Sequence, residues 1–347
     1  MMIRTLLIGL LALAATSPAW GQAAGGTPLF ASSDVLRVTI KGPLSAISRD
    51  RSTEPRPGTI SVAGGAAAIP VTLAARGLTR RRPDICPFPP LWVRFSGEPP
   101  LQSAFAGQKS LKLVTHCRGA ASFQQNVLLE YAAYRMYNAL SPASFKVRLA
   151  MIDYVDDSGK AIASRYGFFI EDLRDVARRN GMQEAKLPPR IPTSALSLQH
   201  ASLFALFQHM IANHDWSMRA GPANDECCHN AKLIAPARTV AAGAIPVPYD
   251  FDFSGLVNAS YATPPDMLKI ANVRQRLYRG YCSTNNQALA SAVQFSAAKP
   301  AIIDALRSTP GLEERTIQRA ASYLDSFFTD IATPESLRGK VLKTCVQ

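Results

Sequence analysis

The sequence has 347 residues, of which 47% are hydrophobic and 18% are charged. This apolar content is enough for a buried core and excludes a wholly disordered chain, and the length suits two lobes. Lys and Arg (38) outnumber Asp and Glu (25), which gives a formal net charge of +13. After the N-terminal segment no stretch approaches the roughly 20 apolar residues of a membrane span, so we expect no integral membrane protein.

The N-terminus has the layout of an export signal. Arg4 precedes an apolar run from Leu6 to Ala15, and small residues follow Pro18. A charge, an apolar stretch and small residues in this order are typical of a cleaved secretory signal. We therefore expect residues 1–22 to be a signal peptide, and the mature protein to be periplasmic or extracellular.

The first part of the mature chain is predicted to be rich in short strands. Alternating or β-branched segments recur between residue 35 and about residue 114, separated by turn residues. Lys112 lies on the last of these strands, between two leucines. The predicted strands are Leu36–Ile40, Thr59–Val62, Ile69–Leu73, Leu91–Phe95 and Leu111–Thr115.

A helix and two further strands are predicted next. Residues 126–140 have apolar side chains at helical spacing and include Glu130, and Pro142 ends the pattern. Strands at 145–154 and 165–170 flank a hairpin turn, and the character after Glu171 becomes helical. We therefore expect an α+β protein with a β-rich N-lobe containing one helix (residues 23–170) and a larger, mainly helical C-lobe (residues 171–347).

The cysteines indicate disulfides once export is assumed, because an even number in an oxidising compartment favours bridges. No C-x-x-C pair supports the rival interpretation, a zinc site. We expect the first two cysteines to pair with each other. Cys227 and Cys228 are adjacent, so we expect each to bond a distant partner among the last two. The six are Cys86, Cys117, Cys227, Cys228, Cys282 and Cys345.

The chemistry is concentrated in the second half. An amphipathic helix predicted at residues 194–212 leads into Asn-His-Asp-Trp-Ser at 213–217. His-Asn follows at 229–230, and Pro-Tyr-Asp-Phe-Asp at 248–252. Phosphoryl transfer needs an acid that orients the attacking hydroxyl, carboxylate and amide oxygens that hold Mg²⁺, and a lysine at the phosphates. These groups occur here in a suitable order.

The three blocks resemble the spore-coat CotH family of atypical secreted protein kinases, which has a similar Asn-x-Asp, His-Asn and Pro-Trp-Asp-x-Asp series. The resemblance implies a two-lobed protein-kinase-like fold and a kinase that uses ATP with Mg²⁺ or Mn²⁺. It implies that Asp215 is the catalytic acid and Asn230 a catalytic and metal-loop amide. Asp250 or Asp252 would be the main metal ligand.

Three further residues are candidates for nucleotide binding. Lys112 is an unusual strand residue unless its ammonium meets a partner, so we expect it at the phosphates, with Lys109 as its rival. Glu130 on the next helix is the expected ion-pair partner of Lys112. Glu171, at the expected lobe junction with Asp172, is expected to contact adenine through the backbone.

The sequence departs from the family pattern at several points. Tyr249 replaces the usual Trp, residues 221–228 form an inserted loop, and no G-x-G-x-x-G is present, although the turn at 76–82 is a candidate for covering phosphates. Two alternatives therefore stay open. One is a catalytically inactive envelope binding protein on the same fold, and the other is a metal-dependent hydrolase built from Asp215, His229 and the two later aspartates.

The positive net charge does not by itself indicate nucleic acid as a partner. The basic clusters at 76–82 and 174–179 have neither an RNP-like aromatic strand nor a long basic helix beside them. We expect a nucleotide and an unidentified phosphate acceptor as partners instead, since anionic small ligands suit a basic exported protein better.

Overall fold

The computed structural model describes residues 26–65, 67–221 and 226–347. The expected signal peptide lies outside these residues. Within them no helix is both long enough and apolar enough to cross a membrane.

Seven strands of the N-terminal half form a closed barrel. They are β1 (Leu36–Gly42), β2 (Arg56–Val62), β3 (Ile69–Ala75), β4 (Leu91–Phe95), β5 (Ser110–Val114), β6 (Val147–Asp156) and β7 (Ala161–Ile170). The order around the barrel is β1-β2-β3-β4-β5-β7-β6. The barrel closes where β1 pairs with β6 in parallel, and every other neighbouring pair is antiparallel.

The alternation of side chains along the strands explains the barrel interior. On β1, Val38 and Ile40 are buried whereas Arg37 is exposed, as expected where successive side chains point to opposite faces. Most buried apolar residues of the seven strands form a core of their own, which also contains Phe105 and Leu29. The outer faces of β5, β6 and β7 contribute to a second, larger core shared with the helices.

The predicted fold class is therefore wrong. We expected a two-lobed protein-kinase-like fold with a small β-rich N-lobe, but the strands close into a seven-stranded mixed barrel. The predicted strands are all present, with bounds shifted by a few residues. The closing pair has Val38 opposite Ile152, far apart in sequence, and hydrophobic periodicity carries no information about such a pairing.

The described part of the chain contains seven helices and a second, three-stranded sheet of order β10-β9-β8. The middle of α2 (Ala121–Asn138) is buried on all sides, because it lies between β7 and helix α5 (Asn285–Arg307). The helices are α1 (Leu44–Asp50), α2 (Ala121–Asn138), α3 (Leu173–Arg179), α4 (Leu198–Ile211), α5 (Asn285–Arg307), α6 (Glu314–Asp330) and α7 (Pro334–Ser336). The strands are β8 (Gln183–Glu184), β9 (Ala231–Ala235) and β10 (Ile245–Pro248).

Three disulfides include all six cysteines, and the predicted Cys86–Cys117 bridge is confirmed. The other predicted pairing is wrong, because Cys282 bonds Cys345. The chain's C-terminus lies beside the segment that enters α5, where the amide of Cys282 donates to the Val346 carbonyl at 2.8 Å. This contact brings the two C-terminal cysteines together. Three bridges are compatible with an oxidising compartment.

Cys227 and Cys228 form the third disulfide, with each other. The prediction that each of them bonds a distant cysteine is therefore wrong. The distant partners are already joined to one another, so the adjacent pair is what remains.

Candidate functional site

Asp215 lies in the loop that follows α4, and both of its carboxylate oxygens are held. The helix ends at Ile211 and is followed by Ala212, which has a left-handed backbone. The side chain of Asn213 then accepts the Asp215 amide at 3.1 Å. His229 Nε2 lies 2.6 Å from Asp215 Oδ1, and Asn230 Nδ2 donates to Asp215 Oδ2 at 3.0 Å. The hydrogen bond to Asp215 raises the pKa of His229 above its ordinary value.

Asn230 joins this loop to the acidic turn after β10. Its carbonyl accepts the amide of Tyr249 at 3.2 Å, so the residue that follows, Asp250, lies beside it. Both Asn230 and Asp250 have positive φ (47° and 64°), a conformation that Asn and Asp tolerate better than most residues. Backbone pairing of β9 with β10 thus brings two blocks of the sequence motif together.

Asp250 and Asp252 meet Glu130 of α2 in a buried carboxylate cluster, whose ligand oxygens lie within 4.8 Å of one another. The guanidinium of Arg80 lies among all three. Its Nη1 is 2.9 Å from Glu130, and its Nη2 is 2.8 Å from Asp250. Its Nε is 3.2 Å from Asp252 Oδ2. The hydroxyl of Tyr261 donates to the same Asp252 oxygen at 3.0 Å.

The cluster contains more negative than positive charge. Three carboxylates and one guanidinium leave a net charge of −2 when all are ionised. Burial raises the pKa of Asp252 well above its usual range and also raises that of Glu130. Burial acts in the same direction on Asp250, but Arg80 and Arg76 outweigh it and lower its pKa. Carboxylate oxygens with such a charge deficit can hold a divalent cation.

Lys112 lies on β5, as predicted, but its partner differs from the expected one. Its ammonium lies 5.8 Å from the ring centre of Trp92 and 5.0 Å from that of Tyr249. Glu130 pairs with Arg80 instead. Arg80 lies in a 3-10 turn before β4 and reaches α2 from there. Its planar guanidinium has N–H donors on three nitrogens and contacts three carboxylates at once, whereas a lysine ammonium lacks this geometry. The rival, Lys109, is exposed.

Cations surround the ring of Trp92, which lies opposite Lys112 in the pairing of β4 with β5. Arg76 and Arg94 lie 5.9 Å and 5.1 Å from the ring centre. Lys232 lines the same cavity as Lys112. Within the described residues none of these four cations forms a salt bridge. Burial lowers the pKa of Lys112 to about 8, with Arg76 and Lys232 contributing and Asp250 and Asp172 opposing the shift.

Glu171 lies at the end of β7, but its side chain is fully engaged. It is buried, pairs with Arg179 at 3.1 Å and accepts the amide of Lys146 at 2.8 Å. A cavity of about 230 Å³ lies beside it, lined by both Glu171 and Asp172 together with Lys112. The prediction that adenine contacts the backbone here stays a prediction.

Three side chains that the sequence did not single out complete the cluster. Arg80 is one of four arginines in the basic cluster at 76–82, and it is the one that is buried. Tyr134 accepts the amide of Asp250 at its hydroxyl (2.9 Å), and Tyr261 donates to Asp252. Helical spacing places Tyr134 one turn after Glu130, which is the only local signal for either tyrosine.

The sequence matches no protein-family model and no curated protein, so the site rests on its own geometry.

Proposed function

We propose that the protein is an exported phosphotransferase that uses ATP with Mg²⁺ or Mn²⁺ to phosphorylate a hydroxyl group of a protein or small molecule. The observation that carries the proposal is a carboxylate cluster that lies close to a group of cations. Three carboxylates share the single Arg80 guanidinium. Four nearby cations, here called the rim (Arg76, Arg94, Lys112 and Lys232), form no salt bridge within the described residues. Divalent metal and polyphosphate together match this arrangement, since metal suits the cluster and phosphates suit the rim.

In this proposal Asp215 accepts the proton of the attacking hydroxyl. Its carboxylate is partly exposed and held by His229 and Asn230, so it is oriented without being shielded from a substrate. A positioned carboxylate of this kind contributes roughly 10²–10⁴ in rate.

Asp250 and Asp252, with the Asn230 amide, are the proposed metal ligands. A metal bound there would neutralise charge on the transferring phosphate. Asp250 is one-third exposed in its side chain, whereas Asp252 is almost fully buried. Asp250 is therefore the carboxylate that a metal–nucleotide complex can approach, and Asp252 is held in place by Arg80 and Tyr261.

Lys112, with Arg76 beside it, is proposed to bind phosphate oxygens. Desolvation of the Lys112 ammonium without a paired carboxylate costs free energy that an anionic ligand would offset. Glu130 does not orient Lys112 in this scheme. It orients Arg80, which fixes the acidic turn from the opposite side.

One observation favours a second candidate, a catalytically inactive envelope binding protein. The Arg80 guanidinium lies among the carboxylates that would otherwise receive a metal. If Arg80 serves in place of the metal, the cationic rim can still bind an anion without metal.

Calorimetry of the full chain with ATP separates these functions. The phosphotransferase requires binding that depends on Mg²⁺ or Mn²⁺, followed by transfer of labelled phosphate to an acceptor. Binding of ATP that is equal with and without metal supports the inactive binding protein. No binding of nucleotide under either condition rejects the proposal. Release of phosphate from simple phosphoesters without nucleotide would indicate the hydrolase alternative.

A further inference from the structure

The Cys227–Cys228 disulfide lies directly before the two residues that hold Asp215. His229 and Asn230 follow it without an intervening residue, and both bond the Asp215 carboxylate. A backbone displacement at residues 227–228 therefore moves the two residues that hold the Asp215 carboxylate.

The disulfide also contacts the loop that carries Asp215. Cys228 Sγ lies 3.0 Å from the Met218 carbonyl oxygen, and Cys227 Sγ lies 3.8 Å from it. One residue before Met218, Ser217 exchanges both backbone hydrogen bonds with His229, at 2.9 Å and 3.1 Å. The two segments are thus joined by one backbone pair and by the packing of the sulfurs.

The two cysteines differ in exposure and in their relation to the cleft. Cys227 lines the cavity of about 230 Å³ that also contains Lys112 and Lys232. Cys228 is buried, with 5% of its surface exposed. A thiolate entering the cleft can attack the Cys227 sulfur, and the neighbouring cations favour such an anion.

We propose that the Cys227–Cys228 disulfide is a redox switch that controls the Asp215 site, an inference that rests on the proposed function for its effect on activity. A dithiol reductant attacks Cys227 and releases the Cys228 thiolate, which takes up a proton. The second thiol of the reductant then resolves the mixed disulfide. Two protein thiols form, and the reductant becomes a cyclic disulfide, so electrons and protons balance.

Reduction is expected to loosen the site. Two sulfurs that shared a bond must separate to nonbonded contact, and buried Cys228 has little room beside the Met218 carbonyl. The displacement falls on the Ser217–His229 backbone pair, and with it on the orientation of Asp215. Oxidised protein is therefore the competent form.

The experiment treats the full chain with a mild dithiol and follows three quantities. Mass spectrometry after alkylation locates the new thiols, hydrogen exchange reports the amides of Ser217 and His229, and calorimetry gives the affinity for Mg–ATP. We expect thiols at Cys227 and Cys228 and about tenfold faster exchange of both amides, as for a locally loosened segment. We expect weaker Mg–ATP binding in the same sample, because Asn230, a proposed metal ligand, lies two residues after Cys228 and is displaced with it.

The Cys227→Ser/Cys228→Ser variant is the matched control, because it retains the other two bridges. Its exchange and affinity should not respond to the dithiol. An equal response of this variant, or new thiols at 227 and 228 without a change in exchange, would overturn the switch. If exchange responds but no nucleotide binds in either redox state, the switch stands and the proposed function fails.

Discussion

Arg80 and Glu130 form a buried ion pair with 2.9 Å between Nη1 and Oε2, and their side chains are 8% and 2% exposed. The pair joins a turn outside the barrel strands to the middle of α2. Through its other nitrogens Arg80 also reaches Asp250 and Asp252, so one guanidinium connects the N-terminal half of the protein to the acidic turn.

Replacing Arg80 with Ala should strongly destabilise the protein. The change leaves three carboxylates close together without their shared cation, and breaking a buried pair costs about 3–5 kcal/mol. Urea unfolding measures the loss. Arg82→Ala is the matched control, because Arg82 forms only an exposed pair with Asp84 and should change stability by less than about 1 kcal/mol. Equal stabilities of the two variants would contradict the central position of Arg80.

The Asp215→Asn and Asp252→Asn variants should fail in different steps. Asp215→Asn removes the proposed proton acceptor, so transfer should fall by roughly 10²–10⁴ while Mg–ATP binding is nearly unchanged. Asp252→Asn should weaken metal-dependent nucleotide binding itself. Calorimetry and a phosphate-transfer assay on the same preparations separate the two effects. Asp153→Asn is the control, because it makes the same substitution at an exposed aspartate outside the candidate site. A loss of binding in Asp215→Asn would remove its assignment as a proton acceptor.

Lys112→Ala should weaken ATP binding more than Lys109→Ala. The ammonium of Lys112 lies between two aromatic rings at the rim, whereas Lys109 is exposed. One lost charge-assisted hydrogen bond corresponds to about 1.5–3 kcal/mol, or roughly ten- to hundredfold in affinity. Calorimetric titration of both variants tests this. A larger effect at Lys109 would favour the rival assignment.

His116 should make the protein less stable as the pH falls. Burial, helped by Arg165, lowers its pKa from 6.5 to about 4. In the unfolded chain the pKa of histidine is 6.5, so on acidification the unfolded chain binds the proton before the folded protein does. The stabilisation from neutral His116 is therefore fully present above pH 6.5 and is lost as the pH falls toward about 4. Between about pH 7.5 and about pH 5.5 this loss amounts to about 1 kcal/mol.

The His116→Phe variant isolates this contribution. Phenylalanine keeps the stacking on Phe88, whose ring centre lies 4.7 Å away, but cannot titrate. Urea unfolding at the two pH values should show a smaller loss in the variant than in the wild type. Other groups, such as buried His209, titrate in both proteins and cancel. Identical losses would show that folding does not lower the pKa of His116.

The sequence blocks that meet at the candidate site were recognisable from the sequence because each is short. The helix before Asp215, the His229-Asn230 step and the two aspartates after β10 all follow from local patterns, and hairpin pairing of β9 with β10 then brings Asn230 beside Asp250. Short-range hydrogen bonds and periodicity act within such segments.

Local patterns also located the strands, the helix carrying Glu130 and the Cys86–Cys117 bridge. Tertiary structure alone decided three things: the closure of the barrel, the pairing of the remaining cysteines and the choice of Arg80 over Lys112 as the partner of Glu130. Each depends on groups distant along the chain, as when Arg80 meets Asp250 across 170 residues. Arg80 is the arginine of its basic cluster that pairs with the desolvated carboxylates, and those carboxylates are costly to bury without a cation.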